Sequence, residues 1–303
     1  MKPKEYLTLL LLAAIWGASF LFIKIAVGEM SPVVLVFGRC LAAAAGLLLV
    51  LVISRVPLRT LRRHWKTGLF IAIFNAALPY TLIAFGEQYI DSSLAGILNA
   101  TAPMWTVVLA PFWAEADRIT ARTVVGLVVG FAGIVVLARP TGNVFSSSSL
   151  GILAVVAATL SYALATHFSK RHFQDTPPQV PAFLQCIGAA VVLAPLALLF
   201  RPEHVPPLGT IAAVVWLGLG ATGLAMILSF WLIKRVGASR TIVVTYLIPP
   251  VALLWGITLL HERIGIEVVI ALGLILGGVF LITRPGPARA LPTEVEAELP
   301  AAV

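Results

Sequence analysis

PVVLVFGRCLAAAAGLLLVLVIS, residues 32–54, is the stretch that decides the fold class. It carries one charge, Arg39, and no cluster of turn residues. As a helix it would rise about 34 Å at 1.5 Å per residue, enough for a hydrocarbon core of roughly 30 Å. Nine other stretches share its character: 5–28, 65–87, 92–115, 120–138, 149–170, 178–200, 208–233, 239–261 and 265–283. Short polar connections such as Gly28-Glu29-Met30-Ser31 separate them, and no soluble domain is inserted. Composition agrees. Hydrophobic residues make up 60% of the 303 and charged residues 11%, against roughly 45–50% and 25% in a soluble domain. The mean hydropathy is +1.01. A water-soluble chain this apolar would expose more apolar surface than its core could hide, whereas lipid accepts apolar side chains on the outside. The expected fold class is therefore all-α integral membrane, with ten transmembrane helices.

Lys2 and Lys4 ahead of an apolar run resemble the start of a signal peptide. The run continues through Phe20, Leu21, Phe22 and Ile23, beyond a typical h-region of about 7–15 residues, so it reads as a retained first span. The tail 285–303, rich in Pro, Ala and Glu, is expected to be disordered. Cys40 and Cys186 both lie inside apolar runs, which argues against a disulfide framework. No metal or cofactor is expected.

The net charge of +8 does not signal nucleic acid, because the basic residues sit in short loops between spans. With the N-terminus inside, the inner segments hold 16 of the 21 Lys and Arg, and the outer loops hold three: Arg139, Arg201 and Arg263. Lys24 and Arg39 fall within spans. The positive-inside rule then places both termini in the cytoplasm of a multi-pass cell-membrane protein (inner or plasma membrane), which needs an even number of spans.

The two halves match at an offset of about 146 residues. Lys24 falls on Lys170, Trp16 on Tyr162, Pro32 on Pro178 and Cys40 on Cys186. At offset 147, Ser92 falls on Ser239, Pro103 on Pro250 and Glu115 on Glu262. Five spans per repeat is an odd number, so the second half enters from the opposite side. The result is two inverted five-helix repeats, 5–138 and 149–284, an arrangement common in secondary transporters.

The run Ala14-Ile15-Trp16-Gly17-Ala18-Ser19-Phe20 to Lys24, then Ser31-Pro32 with Arg39, then Ala95 to Pro103 with Glu115, repeated at Ile242 to Pro250 with Glu262, resembles the EamA-type transporters of the drug/metabolite transporter superfamily. The resemblance covers residues 5 to 284. It implies a ten-helix fold working by alternating access without an ATP-binding domain, and a cavity between the polar-bearing helices. Members of such a family move amino acids, other metabolites or toxic compounds, often outward.

Polar groups inside a bilayer are costly, so their positions are informative. Spans five and ten are nearly free of them and are expected to form scaffold, packing on lipid or on each other. Gly126-x-x-x-Gly130 and Gly273-x-x-x-Gly277 would allow close approach within the chain or, alternatively, in a homodimer. The other spans offer a candidate substrate site: Trp16, Asn75, Tyr80, Asn99, Thr101, Tyr162, Gln185 and Tyr246. For the amides the competing reading is an interhelical hydrogen bond, and for the aromatics it is core packing. Arg39, roughly 10 Å from the outer interface, and Lys24 are candidate anion anchors. Their structural alternatives are a salt bridge from Arg39 to Glu29 or Glu87, and snorkelling of Lys24 to the interface. Pro103 and Pro250 are candidate hinges, or static kinks. His167 is a candidate proton relay, but no Asp or Glu lies at mid-depth, so ion coupling and passive transport both stay open.

An intramembrane enzyme would need a nucleophile–base pair or a metal cluster at one depth. His64, His167, His172, His204 and His261 all lie in loops or near span ends, and no Ser–His–Asp set is visible. The loops are too short for a receptor or assembly factor. The expected function is a secondary transporter, most simply an exporter of amino acids or similar small metabolites. The alternative is a carrier of phosphorylated or anionic metabolites using Arg39. The partners are a small molecule and the lipid bilayer.

Overall fold

The computed structural model describes residues 2–113, 120–138, 147–237, 241 and 243–283. All the regular structure in them is helical. The main helices are α1 (Pro3–Val27), α2 (Pro32–Ile53), α3 (Trp65–Gly86), α4 (Ser92–Phe112), α5 (Ala121–Ala138), α6 (Ser147–His172), α7 (Gln179–Leu199), α8 (Leu208–Val236), α9 (Val243–Leu260) and α10 (Ile266–Thr283). Among the described residues, nine helices are long and apolar enough to cross a bilayer. The apolar part of α5, Ala121–Leu137, falls just short of that length. The expected count of ten spans thus stands at nine plus one short apolar helix. The tail 285–303, with Glu115 and Ser239, lies outside the described residues.

Local chemistry sets the helix ends. Pro32 opens α2 at a position where a missing N–H costs nothing, and Ser31 Oγ caps it by accepting from Val34 N at 3.4 Å. The same hydroxyl donates to Phe200 O at the end of α7, 3.3 Å away, so it ties the two helices together.

The packing is two-fold. α2 packs on α7, α4 on α9, and α5 on α10. The remaining major contacts come in exchanged pairs: α1 with α9 and α6 with α4, α3 with α6 and α8 with α1, α2 with α8 and α7 with α3. Exchanging one half for the other reproduces this set, as an inverted repeat requires.

The α5–α10 contact shows how tightly helices approach where no polar group intervenes. A Cβ on Gly126 would stand 2.8 Å from Gly278 O, and one on Gly278 would stand 2.6 Å from Gly130 N. The backbones touch, so a side chain does not fit. The expected partner pair Gly273 and Gly277 is corrected here. Both look onto open space, and Gly278 makes the contact. One residue turns a helix by about 100°, which separates the two faces. The outer faces of α2, α5 and α10 expose Leu49, Val52, Ile53, Val128, Val135, Ile270 and Phe280. An apolar surface of that kind belongs in lipid.

Two irregularities shape the interior. α3 contains a π-helical segment, Ile73–Ala77, and α8 another, Leu217–Leu224, at corresponding places in the two halves. A π turn widens the helix and misaligns backbone carbonyls, which other groups then bind. α4 breaks between Asn99 and Ala102, just before Pro103, which has no N–H for the carbonyl of Asn99. Its repeat counterpart Pro250 sits in a helix that stays continuous from Val243 to Leu260.

Candidate functional site

A cavity of about 250 Å³ lies between α1, α2, α3, α4, α8 and α9. Apolar groups such as Phe20, Ile23, Ile83 and Ile248 form much of its wall. Trp16, Ser19, Arg39, Tyr80, Asn99, Thr222 and Thr245 supply the polar edges. Four residues expected from sequence (Trp16, Arg39, Tyr80 and Asn99) are brought together here.

The π segment of α8 orients two of them, Trp16 and Arg39. Trp16 Nε1 donates to Ala221 O at 3.1 Å, inside the π turn of α8. Thr222 Oγ donates to Leu217 O at 2.9 Å, five residues back, and accepts from Arg39 Nε at 3.0 Å. The Arg39 guanidinium lies 3.9 Å above the centre of the Tyr80 ring, a cation–π contact. Tyr162 stands edge-on behind Tyr80, with ring centres 6.3 Å apart. Arg39 is 6% exposed. The expected salt bridge to Glu29 or Glu87 is not formed: no carboxylate among the described residues is within ion-pair distance of Arg39. Burial without a counter-anion leaves the guanidinium facing the cavity with most of its donors open. Among the other lining residues, Asn99 has a buried Oδ1 with no hydrogen-bond partner. A cavity that holds an unmatched cation and an unmatched acceptor suits a small ligand carrying both an anionic group and a donor.

A second cavity of about 430 Å³ adjoins the first and shares Met226 with it. It leads past Asn75, Gln185, Phe173, Thr176 and Lys234 toward the basic end of the bundle, the end carrying Arg55, Lys66, Lys170 and Arg235. Asn75 Nδ2 donates to Gln185 Oε1 at 2.7 Å, and Gln185 Nε2 points at Met226 Sδ at 3.5 Å. One hydrogen bond thus joins the two amides across the repeat interface, in the wall of this second cavity.

The remaining candidates are placed elsewhere. Thr101 is fully buried, donating to Leu98 O at 2.7 Å and sitting 3.1 Å from Thr159 Oγ. Tyr246 turns its hydroxyl to Val279 O and Thr283 on α10. Lys24 lines neither cavity. It donates to Glu87 O and Ile90 O, both at 2.7 Å, neutralising the carbonyl end of α3. His167 is held by Thr106 O at 2.8 Å and stacks on Trp113. Among the described residues no group of His, Cys, Asp and Glu could hold a metal. Thr222 was missed from sequence. At offset 147 it is the counterpart of Asn75 and the sole hydroxyl of the glycine-rich run 217–224, a signal that could have found it.

The end of the bundle opposite the basic one is bridged by Glu262. Glu262 accepts from Ser92 N at 2.8 Å, Ser92 Oγ at 2.6 Å, Ser93 N at 3.1 Å and Ser93 Oγ. A carboxylate on a helix N-terminus meets free N–H groups and the positive end of the dipole.

The sequence of the EamA-like transporter family matches the chain twice, over residues 3–139 and 149–284. The chain belongs to the EamA-like transporter family. It is thus a multi-pass membrane protein of the drug/metabolite transporter superfamily, acting on a small molecule in a lipid bilayer. A protein of Archaeoglobus fulgidus named an uncharacterized transporter is 29% identical over 289 residues, covering 93% of this chain and 99% of its own. The inner membrane transporter YedA of Escherichia coli K12, also named uncharacterized, is 27% identical, with 89% and 87% covered. A Salmonella typhimurium protein named a probable amino-acid metabolite efflux pump is 25% identical, with 93% and 95% covered. A solved crystal structure shares the fold at a TM-score of 0.65 and 22% identity, covering 93% of this EamA-like chain and 98% of the other.

Proposed function

We propose that this EamA-like transporter exports small amphipathic metabolites bearing a carboxylate, amino acids among them, by alternating access. The observation that carries the reading is the buried Arg39 guanidinium, facing the central cavity without a carboxylate partner. A carboxylate would take its free N–H donors in a bidentate pair. Asn99 Oδ1, also lining the cavity, would accept from an ammonium. The apolar remainder, with the faces of Trp16 and Tyr80, would hold a side chain. The Salmonella relative's name supports the same substrate class. We further assign the basic end to the cytoplasm, by the positive-inside rule, and the protein to the cell membrane. In that orientation the cavity of about 430 Å³ lies on the cytoplasmic side and the Glu262 clamp on the other, as expected of an exporter loading from inside. A phosphorylated substrate is less well served, because Arg39 is the one cation lining the central cavity among the described residues.

The test compares amino acids with their amides as thermal stabilisers of the purified protein. Phenylalanine should stabilise the wild type, phenylalaninamide should not, and Arg39→Gln should abolish the difference. Equal stabilisation by acid and amide would exclude Arg39 as a carboxylate anchor.

A further inference from the structure

Glu87 follows directly after α3, at the Glu262 end of the bundle. Its side chain is 0% exposed, and neither carboxyl oxygen has a hydrogen-bond partner. The nearest cation does not pair with it, because the Lys24 ammonium is held by the backbone carbonyls of Glu87 and Ile90. Glu262, the other carboxylate at this end, is saturated with donors from Ser92 and Ser93 and adds negative charge nearby. Asp91 is close by on the same connection and feels Glu262 and Lys24 as well. Arg39 on α2 acts on Glu87 from farther away, and the neighbouring face of α6 presents Gly151 and Val155, which carry no charge. An ionised carboxylate, buried and accepting no hydrogen bond, would cost several kcal/mol or more, and such a group takes up a proton instead. Burial thus holds the Glu87 carboxyl well above the usual carboxylate range. The positive charge of Lys24 opposes this and Glu262 adds to it.

We propose that Glu87 is a proton-binding site tied to the transport cycle: it is a neutral acid while the Glu262 end is closed, and it gives its proton to water when that end opens. On opening, the Oε–H bond breaks, the proton passes to solvent at that end, and the carboxylate remains beside Lys24, whose ammonium then balances it. On closing, the carboxylate takes a proton back before it is buried. Acid on that side therefore favours the closed form, and alkali favours the open form. The inference rests on alternating access from the reading above but not on Arg39 or on the substrate.

The experiment needs no substrate, so its failure is distinct from a failure of the substrate reading. Infrared difference spectra of the full chain in lipid nanodiscs are compared with those of Glu87→Gln. The wild type should show a protonated-carboxyl C=O band at neutral pH that shifts in D2O and is missing from the variant. In a Cys40→Ala, Cys186→Ala background, Ile90→Cys then reports opening of this end through its maleimide-labelling rate. Dividing by the Glu87→Gln rate at each pH removes the titration of the thiol itself. The quotient should rise with pH by up to about tenfold per unit, the slope of one linked proton. The proposal is overturned if the band is absent, or if the quotient is flat. Glutamine is the isostere of the neutral acid. If Glu87→Gln fails to fold while Glu87→Asp folds, the site needs a negative charge and the proposal is likewise overturned.

Discussion

Glu262→Ala is the sharpest test of how the Glu262 end is held. The Glu262 carboxylate collects two backbone N–H groups and two hydroxyls from Ser92 and Ser93, both of which are almost completely buried. Hydrogen bonds to a charged group contribute about 1.5–3 kcal/mol each. The four are not additive, because water reaches part of the site once the side chain is removed and hydroxyls can rotate to other acceptors. Breaking a fully buried charged cluster by deleting one partner costs about 3–5 kcal/mol, and because Glu262 is partly exposed we expect Glu262→Ala to fall at the lower end of that range. Ser93→Ala should cost about 1.5–3 kcal/mol, since it removes one charge-assisted bond. The double variant should be no less stable than Glu262→Ala alone, because Ser93 then has nothing to donate to. The assay is reversible unfolding in mixed micelles titrated with SDS, followed by the fluorescence of the seven tryptophans. A loss under about 1 kcal/mol for Glu262→Ala, or additive costs in the double variant, would refute the description of Glu262 as the clamp on the α4 N-terminus.

Other outcomes follow from the same geometry. Gly278→Ala should destabilise by about 1–3 kcal/mol, because its Cβ would collide with the Gly130 backbone, whereas Gly277→Ala should be neutral; unfolding titrations separate the two. Asn75→Ala and Gln185→Ala should show a coupling of about 1 kcal/mol in a double-mutant cycle, and independent effects would mean that the amides serve something other than each other. The tightened hold of Glu87 on its proton also carries a sign for stability. Its contribution to the closed form is complete below the usual 4.5 and is lost as pH rises through the raised value. Melting of the wild type should therefore fall relative to Glu87→Gln as pH is raised, and parallel melting curves would contradict this.

Much of the architecture was legible because lipid imposes a coarse rule. Every span had to be long, helical and apolar, so PVVLVFGRCLAAAAGLLLVLVIS and its counterparts declared themselves. The repeat was legible from Trp16 and Tyr162 or Pro103 and Pro250 at a near-constant offset. Quantities set by helix rotation and tertiary packing were not legible. Whether Gly277 or Gly278 faces α5 depends on about 100° of rotation that apolar sequence does not encode. The pairing of Asn75 with Gln185 joins residues 110 apart and appears only once α3 meets α7. The π turn of α8 aims Thr222 at Arg39, a partnership between residues 183 apart in the chain. Glu87 read as a residue at a span end, where a carboxylate would ordinarily meet water. Its burial depends on Lys24 and α6 folding over it.

On the proposed function, the central cavity moves carboxylate-bearing metabolites through Arg39. The most direct measurement is counterflow of a panel of radiolabelled amino acids in proteoliposomes of the wild type and of Arg39→Gln. Saturable counterflow of at least one amino acid by the wild type, reduced at least about tenfold in a folded Arg39→Gln protein, a loss of about 1.4 kcal/mol or more, is the expected result. Absence of counterflow for every amino acid by folded wild-type protein, or undiminished counterflow in Arg39→Gln, would contradict the claim.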